Sequence, residues 1–402
     1  MFSSVIAELD PRFLLEQLQA TDAFATENVR NGGGPFGAAL HIIDLDTNQT
    51  YQIGSFAANA VLQTGIASQH AEAEVLSPNN QRALREKLTD LRSQNRTNLA
   101  VVCTSSGQSC PACQAKQEIV ARDLAIDGLL PKGRFVNTFG ATFEDTASIA
   151  SFNDAPYVLD NLLRLLGTDE PLMVKVEHRQ ISELPQHIQK KFLLAEADGR
   201  NVAVLEGTNV TVKANDNRKH DLFATAGVQA IRDACSEQNK MSKDGQAIAQ
   251  PWLLGNRPES PNHHAILYTS IKNAGPLLLA EAQWAGVSRI VCINGLLRPD
   301  SANRETPDVS NHAFSQACWS GYNRTDSYLT VIRLMPFDND AQHEWQAKLM
   351  REGNACLYNG LSGKSHLLRM TDEMRVRFTG HTIFCNTPNM RHNMGRQHAA
   401  KL

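Results

Sequence analysis

The stretch QHAEAEVL begins at Gln69, and the stretch LAVVCTSSGQSCPAC ends at Cys113. Together they bring one imidazole (His70), one carboxylate (Glu72) and two thiols (Cys110 and Cys113) into a short part of the chain. One His and two Cys are a ligand set that leaves the fourth tetrahedral position of a zinc ion open, as a catalytic site requires. Because zinc lowers the pKa of a bound water, the set indicates hydrolytic chemistry at neutral pH.

Glu72 lies two residues beyond the imidazole and is predicted to be a general acid and base rather than a ligand. Its carboxylate would take a proton from the attacking water and return it to the substrate ring and the leaving amine. Cys110 and Cys113 begin a predicted helix, whose positive dipole end favours both thiolates. These are the groups and the spacing of a zinc deaminase.

Two other interpretations of the cysteine pair remain open. A redox-active CxxC pair would not require His70 and Glu72 upstream. A structural zinc site would need a fourth Cys or His at short spacing, and the sequence near 70 and 110 offers none.

The composition is that of a compact globular protein, and 402 residues predict about two domains. The 39 Lys and Arg against 42 Asp and Glu give a formal charge of −3, so nothing attracts the whole chain to nucleic acid or anionic membrane. Eight cysteines are too sparse for a disulfide scaffold. No apolar run approaches the ~18 residues of a membrane span, and MFSSVIAELDPRF does not have the pattern of a signal peptide. We therefore expect a cytoplasmic protein without membrane contact.

The first half of the chain alternates helix and strand patterns. Apolar residues at helical spacing over 8–31 predict a helix that begins near Asp10-Pro11 and ends in NGGGP. FGAALHIIDLD and TYQIGSFA predict an antiparallel strand pair. A helix, a strand, a helix and a strand are then predicted in QRALREKLTDLRSQN, LAVVCT, CPACQAKQEIVARDLAI and GRFVNTFGAT. This order predicts an α/β fold in which a mixed sheet has helices on its faces.

The second half repeats this order, which predicts an internal repeat. A strand pair, a helix, a strand, a helix and a strand are predicted in VAVLEGTNVTV, AGVQAIRDAC, HAILYTSI, GPLLLAEAQWAG and SRIVCING. The pattern weakens over 160–198, where we place a domain boundary. The sequence thus predicts a catalytic domain over 1–165, a second domain over 172–330 and a C-terminal extension over 331–402.

Residues 10–160 resemble the cytidine-deaminase-like superfamily, and within it the branch of bacterial guanine deaminases and tRNA adenosine deaminases. Besides the zinc motifs, NGGGPFGAAL resembles the glycine-rich turn and strand of guanine deaminases. The resemblance implies a three-layer α-β-α fold with a mixed sheet, present here as two tandem copies. It also implies hydrolytic deamination of a purine base or nucleoside at the carbon that bears the exocyclic amine.

The same resemblance implies which residues contact the purine. Asn59 stands where this branch has an Asn that contacts the base, and Phe36 lies in the matching glycine-rich stretch. FGATFEDTASIASFNDAPY resembles the guanine-deaminase segment that ends in Phe and two acidic residues, which puts Asp154 at the purine edge.

Two features depart from the family pattern. The family usually has Glu-Pro directly before the first cysteine, whereas this chain has Gly107-Gln108-Ser109. The family also continues the His-Ala-Glu helix, whereas Ser77-Pro78 interrupts it here because proline cannot continue a helix.

The second half resembles the family without its chemical groups. Thr225 and Gly227 stand at the His and Glu positions, and Ala274 and Leu277 stand at the cysteine positions. We expect a pseudo-catalytic copy, which would pair with the first copy inside one chain and complete its pocket. The sequence leaves open whether the chain also forms a homodimer.

Residues 364–402 are basic, with seven Lys or Arg against two Asp or Glu. This tail is either a solvated terminus or a local contact to the phosphates of a nucleic acid. A second hypothesis therefore keeps the zinc chemistry but moves it to adenosine or cytidine in RNA or DNA. A third is a non-catalytic binding protein whose zinc is structural.

Overall fold

The structure, a computed structural model, describes residues 3–31, 36–141, 174–196, 201–217, 221–244, 253–255, 264–271, 274–294 and 328–334. The chain forms two compact units. The first comprises 1–62, 69–170 and 316–402, and the second comprises 63–68 and 171–315. In the described ranges every helix is too short or too polar to pass through a lipid bilayer.

The first unit contains a mixed sheet. Its strands are β1 (Gly37–Asp44), β2 (Gln49–Gln52), β3 (Ala57–Ala58), β4 (Leu99–Gly107), β5 (Phe135–Ala141) and β11 (Leu329–Arg333). They are arranged in the order β11-β5-β4-β1-β2, and β3 also pairs with β1. β1 is antiparallel to β2, β3 and β4, whereas β4, β5 and β11 are parallel. β1, β2, β4 and β5 confirm the strands predicted for this half.

Helices cover this sheet. They are α1 (Ser3–Glu8), α2 (Pro11–Arg30), α3 (Val61–Thr64), α4 (Ala71–Val75), α5 (Pro78–Ser93) and α6 (Pro111–Ile126). Leu14 and Leu18 of α2 belong to one buried cluster with Val102 of β4 and Val136 of β5. Every residue of β1 and β4 is buried, so these central strands are covered on both faces. The fold is therefore α/β with a mixed sheet and is compatible with α-β-α layers.

The second unit has a sheet of its own. Its strands are β6 (Lys175–Gln180), β7 (Val202–Glu206), β8 (Thr211–Asn215), β9 (Ala265–Thr269) and β10 (Val287–Asn294). Their order is β6-β10-β9-β7-β8, with β7 antiparallel to β8 and β9, and β9, β10 and β6 parallel. The helices are α7 (Gln186–Glu196), α8 (Ala226–Lys243) and α9 (Pro276–Trp284). The two units thus have the same strand order and the same strand directions.

The last strand of each sheet comes from an unexpected part of the chain. Among the described residues, β6 is the next strand after β5, and β11 is the next strand after β10. However, β6 pairs with β10, and β11 pairs with β5. Each sheet is therefore completed by a strand that is distant in sequence from its pairing partner.

The two compact units have other bounds than the predicted domains. The predicted limit between 330 and 331 falls inside β11, which belongs to the first sheet rather than to a second domain or an extension. The predicted first domain, 1–165, does not contain this strand. The stretch 160–198, which showed no clear pattern, contains both β6 and α7. Local patterns could not reveal this, because strand pairing between distant segments depends on the sheet and not on neighbouring residues.

Residues 63–68 pack in the second unit although their neighbours in sequence belong to the first. The Gln63 carbonyl accepts hydrogen bonds from Lys243 Nζ at 3.3 Å and from Asn239 Nδ2 at 3.5 Å. Gly65 has φ +72°, and a Cβ added there would lie 2.4 Å from Asn239 Cβ, so only glycine fits without displacement. The Ser68 hydroxyl bonds to the carboxylate of Glu281.

His41 on β1 makes the stability of the protein sensitive to acid. Its ring is 4% exposed and lies edge-on to Phe13, with centroids 5.4 Å apart. Burial lowers the pKa of His41 from 6.5 to about 4. In the folded state His41 therefore stays neutral down to about pH 4, whereas in the unfolded chain it takes up a proton near pH 6.5. The stability that depends on neutral His41 is fully present above pH 6.5 and is lost as the pH falls toward 4.

We expect this loss to reach about 2 kcal/mol by pH 5. It is measured as the free energy of unfolding of the native protein at pH 7.5 and pH 5, compared with a His41→Phe variant. The variant has no group to protonate at this position and should lose that much less stability between the two pH values. An equal loss in both proteins would show that His41 is not the cause.

Candidate metal centre

His70 is held at the beginning of a helical turn. It is the last residue before α4, with an extended backbone (φ −80°, ψ 168°). Its carbonyl accepts hydrogen bonds from two backbone amides of that turn, both at 3.0 Å. The predicted interruption is confirmed, because α4 ends at Val75 and Pro78 is the first residue of the next helix. The imidazole therefore lies at the beginning of a short helix that is separate from α5.

The two cysteines lie in the first turn of α6. Cys110 is the residue before the helix, and Pro111 opens it with a φ that suits the first helical position. The Cys110 carbonyl accepts from the Gln114 amide at 2.8 Å, which closes the first turn. Cys113 lies within that turn and is fully buried. The local helix geometry thus brings both thiols to the same end of α6, as predicted.

The structure brings the three predicted ligands together. The Nδ1 atom of His70 lies 3.2 Å from Cys110 Sγ and 3.6 Å from Cys113 Sγ. All three ligand atoms lie within 4.8 Å of one another. Zinc–sulfur and zinc–nitrogen bonds of about 2.3 and 2.0 Å in a tetrahedron place N and S about 3.5 Å apart. The donor set and its spacing therefore fit a zinc ion.

The cluster has three ligand residues and not four. In the part of the chain that the structure describes, no other His, Cys, Asp or Glu joins the group, and no second group of this kind is found. A closed structural zinc site would use four protein ligands. The three-residue set is instead that of a metal with one position open to water or substrate.

The thiols and the imidazole are electrostatically linked. Burial would raise the pKa of Cys110, but the hydrogen bond from Cys113 and the charge of His70 lower it well below its ordinary value. Burial, followed by the hydrogen bond and charge of Cys110, raises the pKa of Cys113, and the ammonium of Lys116 opposes this rise. Lys116 is fully buried and follows Cys113 by one helical turn. It supplies positive charge beside ligands that bind metal as thiolates.

Glu72 lies beside the ligand cluster but does not belong to it. Its side chain is 5% exposed, on the turn that follows His70. Burial, reinforced by the charge of Cys110, raises the pKa of Glu72. A carboxyl that takes up a proton more readily than usual suits exchange of protons near neutral pH.

The predicted substrate contacts are only partly described. Asn59 is buried, and its Oδ1 accepts from the Val61 amide at 3.1 Å. Phe36 is half-buried, and its ring lies against Gly107, where an added Cβ would be 2.7 Å from Cε1. Asp154 lies outside the described residues.

The sequence interpretation did not identify the buried polar side chains around the cluster. Lys116, Ser109, Gln117 and Asn137 are all fully buried. Polar and charged side chains in the interior need partners, so such a concentration marks a specialised site. One signal was available: Ser109 belongs to the loop that departs from the family pattern. The polar residues within α6 and β5 gave no such signal. The sequence pattern of a helix or strand does not show which of its faces lies toward the site.

The equivalent place in the second unit contains no ligand groups. Thr225 precedes α8 as His70 precedes α4, so Gly227 stands at the position of Glu72. Gly275 precedes α9, and Pro276 opens it. Counting from these helix beginnings, Gly275 and Leu278 stand at the cysteine positions, one residue after the predicted Ala274 and Leu277. A Cβ added to Gly227 would lie 2.8 Å from Leu278 Cδ1, so this side chain fills the place of the carboxyl group.

Neither a protein-family model nor a curated protein matches the chain. The functional conclusion therefore depends on the residues of the chain and their contacts.

Proposed function

We propose that this chain is a zinc-dependent hydrolytic deaminase that acts on the exocyclic amine of a purine base or nucleoside. The observation that carries the proposal is the three-ligand cluster of His70, Cys110 and Cys113 with the buried carboxyl of Glu72 beside it. A redox CxxC pair would not account for the imidazole 3.2 Å from Cys110 Sγ. A closed structural zinc site would use four protein ligands, whereas the described residues bring three together.

Zinc and Glu72 would have different roles in the proposed reaction. Zinc, when bound, supplies a water of lowered pKa at neutral pH. Glu72 accepts a proton from the attacking water and delivers protons to the ring nitrogen and then to the leaving amine. Water adds to the carbon, the carbon–nitrogen bond breaks, and the products are a ring carbonyl and ammonia. Burial of Glu72 supports this role, because it lets the carboxyl hold the proton between the two transfers.

The repeated topology supports membership of the cytidine-deaminase-like superfamily. Each unit has an antiparallel hairpin at one edge and parallel strands at the other, and a helix follows the third strand of the common order. In the first unit, that helix (α6) holds the two cysteines. In the second unit, Leu278 and Gly227 meet where the chemical groups would stand. We infer two copies of one fold and a single reactive centre.

The proposal is tested by ammonia release from the zinc-loaded full-length protein. The substrates are guanine, adenine, guanosine, adenosine and cytidine, together with short RNA and DNA. We expect turnover of a free purine or its nucleoside. Deamination confined to RNA or DNA would instead favour the nucleic-acid-editing hypothesis. Zinc binding without ammonia release from any member would favour a non-catalytic zinc protein.

The Glu72→Gln substitution should lower the rate of ammonia release about 10²- to 10⁴-fold, because the amide cannot transfer the protons. Zinc content per chain should stay at the native value, since Glu72 is not a ligand. Glu74→Gln is the matched control: this carboxylate bonds to Gln69 at 2.5 Å and lies outside the ligand cluster. We expect native activity in the control. Full activity of Glu72→Gln would exclude the assigned role.

A further inference from the structure

The segment between β4 and α6 is short and leads directly to a zinc ligand. β4 ends at Gly107, and two residues, Gln108 and Ser109, separate it from Cys110. The end of β4 is fixed in the sheet, since Gly107 lies opposite Ala141 of β5. Ser109 is fully buried and is the residue directly before Cys110. The position of Cys110 therefore depends on how this two-residue loop is held.

Two carboxamides hold the side chain of Ser109. Asn137 Nδ2 of β5 donates to Ser109 Oγ at 3.0 Å, and Gln117 Nε2 of α6 donates to the same oxygen at 3.2 Å. All three residues, which we call the Ser109 network, are fully buried. In the low dielectric of a protein interior such hydrogen bonds are stronger than at the surface. The loop before Cys110 is thus bonded to a strand on one side and to a helix on the other.

Gln117 connects the loop with the helix that carries the second thiol. It follows Cys113 by four residues, so the two side chains lie on the same face of α6. Gln117 Nε2 also donates to Cys103 Sγ of β4 at 3.6 Å. One carboxamide on the cysteine face of α6 therefore contacts both the loop before Cys110 and the strand that leads into this loop.

Asn137 connects the loop with the neighbouring strand. It lies opposite Cys103 in the parallel pair of β4 and β5. The next residue of β5, Thr138, projects from the other face of the sheet and bonds to Thr104 Oγ1 at 2.8 Å. The two neighbouring side chains thus have different tasks. Thr138 joins one strand to the next, whereas Asn137 reaches the loop that precedes the zinc ligand.

The Ser109 network is not what the packing of a core alone requires. The amide oxygens of Asn137 and Gln117 are buried and have no hydrogen-bond partner among the described residues. A buried acceptor without a partner destabilises the folded state, whereas apolar side chains of similar shape would not. Both carboxamides nevertheless direct their NH2 groups toward Ser109. A role in holding the loop accounts for polar side chains at two positions where apolar ones would give a more stable core.

We propose that Asn137 and Gln117 are positioning residues, which hold Cys110 in the place of a zinc ligand through the hydroxyl of Ser109. The inference rests on the zinc centre of the proposed function. Cys110 Sγ lies 3.2 Å from His70 Nδ1, so a displacement of the loop would separate two of the three ligand atoms. A loop that is already held in place loses less conformational freedom when zinc binds, which strengthens binding.

The test compares the zinc affinity of the full-length protein with that of Asn137→Leu, whose side chain has a similar size but cannot donate. Zinc itself is the probe, and its Kd is measured by competition with a chromogenic chelator. We expect the Kd to rise about 10- to 100-fold, the range for residues that support metal ligands. An unchanged Kd would overturn the inference.

Thr138→Val is the matched control. It removes a buried hydrogen bond from the next residue of β5, on the face that does not reach the loop. The control should keep the native Kd for zinc, and a rise equal to that of Asn137→Leu would overturn the inference. The free energy of unfolding of the zinc-free proteins gives a second comparison. Because Asn137→Leu also removes a buried acceptor, it should be at least as stable as the control.

A third variant, Ser109→Ala, tests the route through the hydroxyl. It removes the acceptor of both carboxamides by a smaller change, and it also replaces Asn137→Leu if that variant does not fold. We expect a rise in Kd of the same range, and a native Kd would overturn the inference. When Ser109→Ala is combined with Asn137→Leu, the Kd should rise no further, because Asn137 acts through Ser109. Effects that multiply would show that Asn137 acts by another route and would overturn the inference.

The zinc affinity is measured without substrate, so failure of the inference and failure of the proposed function are distinguishable. Native ammonia release together with an unchanged Kd of Asn137→Leu would overturn the inference alone. Zinc binding without ammonia release, together with the expected rise in Kd, would overturn the proposed deaminase and support the inference. Absence of zinc binding by the unsubstituted protein would overturn both.

Discussion

A Cys113→Ala substitution is expected to remove both the bound zinc and all measurable ammonia release. Among the residues that the structure describes, three ligand atoms lie within 4.8 Å of one another, so loss of one thiolate leaves His70 and Cys110 as the remaining ligands of this cluster. Two ligands do not hold zinc against buffer and solvent as three do, and the free energy of binding depends strongly on each thiolate. Because zinc would supply the nucleophile in the proposed reaction, activity should disappear together with the metal and not only decrease.

The measurement is the zinc content per chain after gel filtration in the presence of a weak chelator, followed by the ammonia assay. Cys292→Ala is the matched control, since it removes a buried cysteine of β10, in the second unit. The control should keep native zinc content and native turnover. Zinc at the native level in Cys113→Ala would show that the metal is held elsewhere, and the assignment of the centre would then be wrong.

The second large effect, on stability, is expected from substitution of Leu334, the residue directly after β11. Leu334 is 1% exposed and packs in the same core cluster as Leu14, Leu18 and Val136. Removing most of such a side chain from a packed core destabilises a protein by about 2–5 kcal/mol. We expect Leu334→Ala to lower the free energy of unfolding of the first unit by that amount. Zinc should be lost at lower denaturant concentration, because the ligands belong to the same unit.

Denaturant unfolding, followed through circular dichroism and zinc release, measures this effect. Leu193→Ala is the control: this residue of α7 is 54% exposed, so its replacement should change stability by less than about 0.5 kcal/mol. Residues 1–165 produced alone provide a stronger form of the test, because they lack β11. If this fragment folds with native stability and binds zinc, the pairing of β11 with β5 is not needed by the first unit.

The His70, Cys110 and Cys113 cluster could be predicted because part of its signal is local. His70 and Glu72 lie on one turn, and Cys110 and Cys113 lie in the first turn of one helix, so sequence spacing nearly fixes the positions within each pair. The helix beginnings are equally local, as Pro11, Pro78 and Pro111 each open a helix. In the second unit, counting from the helix beginning gives Gly275 and Leu278, one residue after Ala274 and Leu277.

The support around the centre could not be predicted in the same way. Ser109 was visible only as a departure from a pattern, and its partners Asn137 and Gln117 come from a strand and a helix at other points of the chain. Which side of an element faces the site depends on how that element packs. The contacts of residues 63–68 in the second unit, such as Ser68 with Glu281, also join segments far apart in sequence.

The amino-acid sequence by itself determined the candidate ligand set, the neighbouring Glu72 carboxylate and the α/β pattern. Each of these depends on residue type and on spacing within a turn or a strand. Only the tertiary structure decided that β11 pairs with β5 in the first sheet and that β6 pairs with β10 in the second. Which distant strands pair depends on how all segments of the chain compete for the edges of a sheet. The local sequence pattern of a segment does not contain this information.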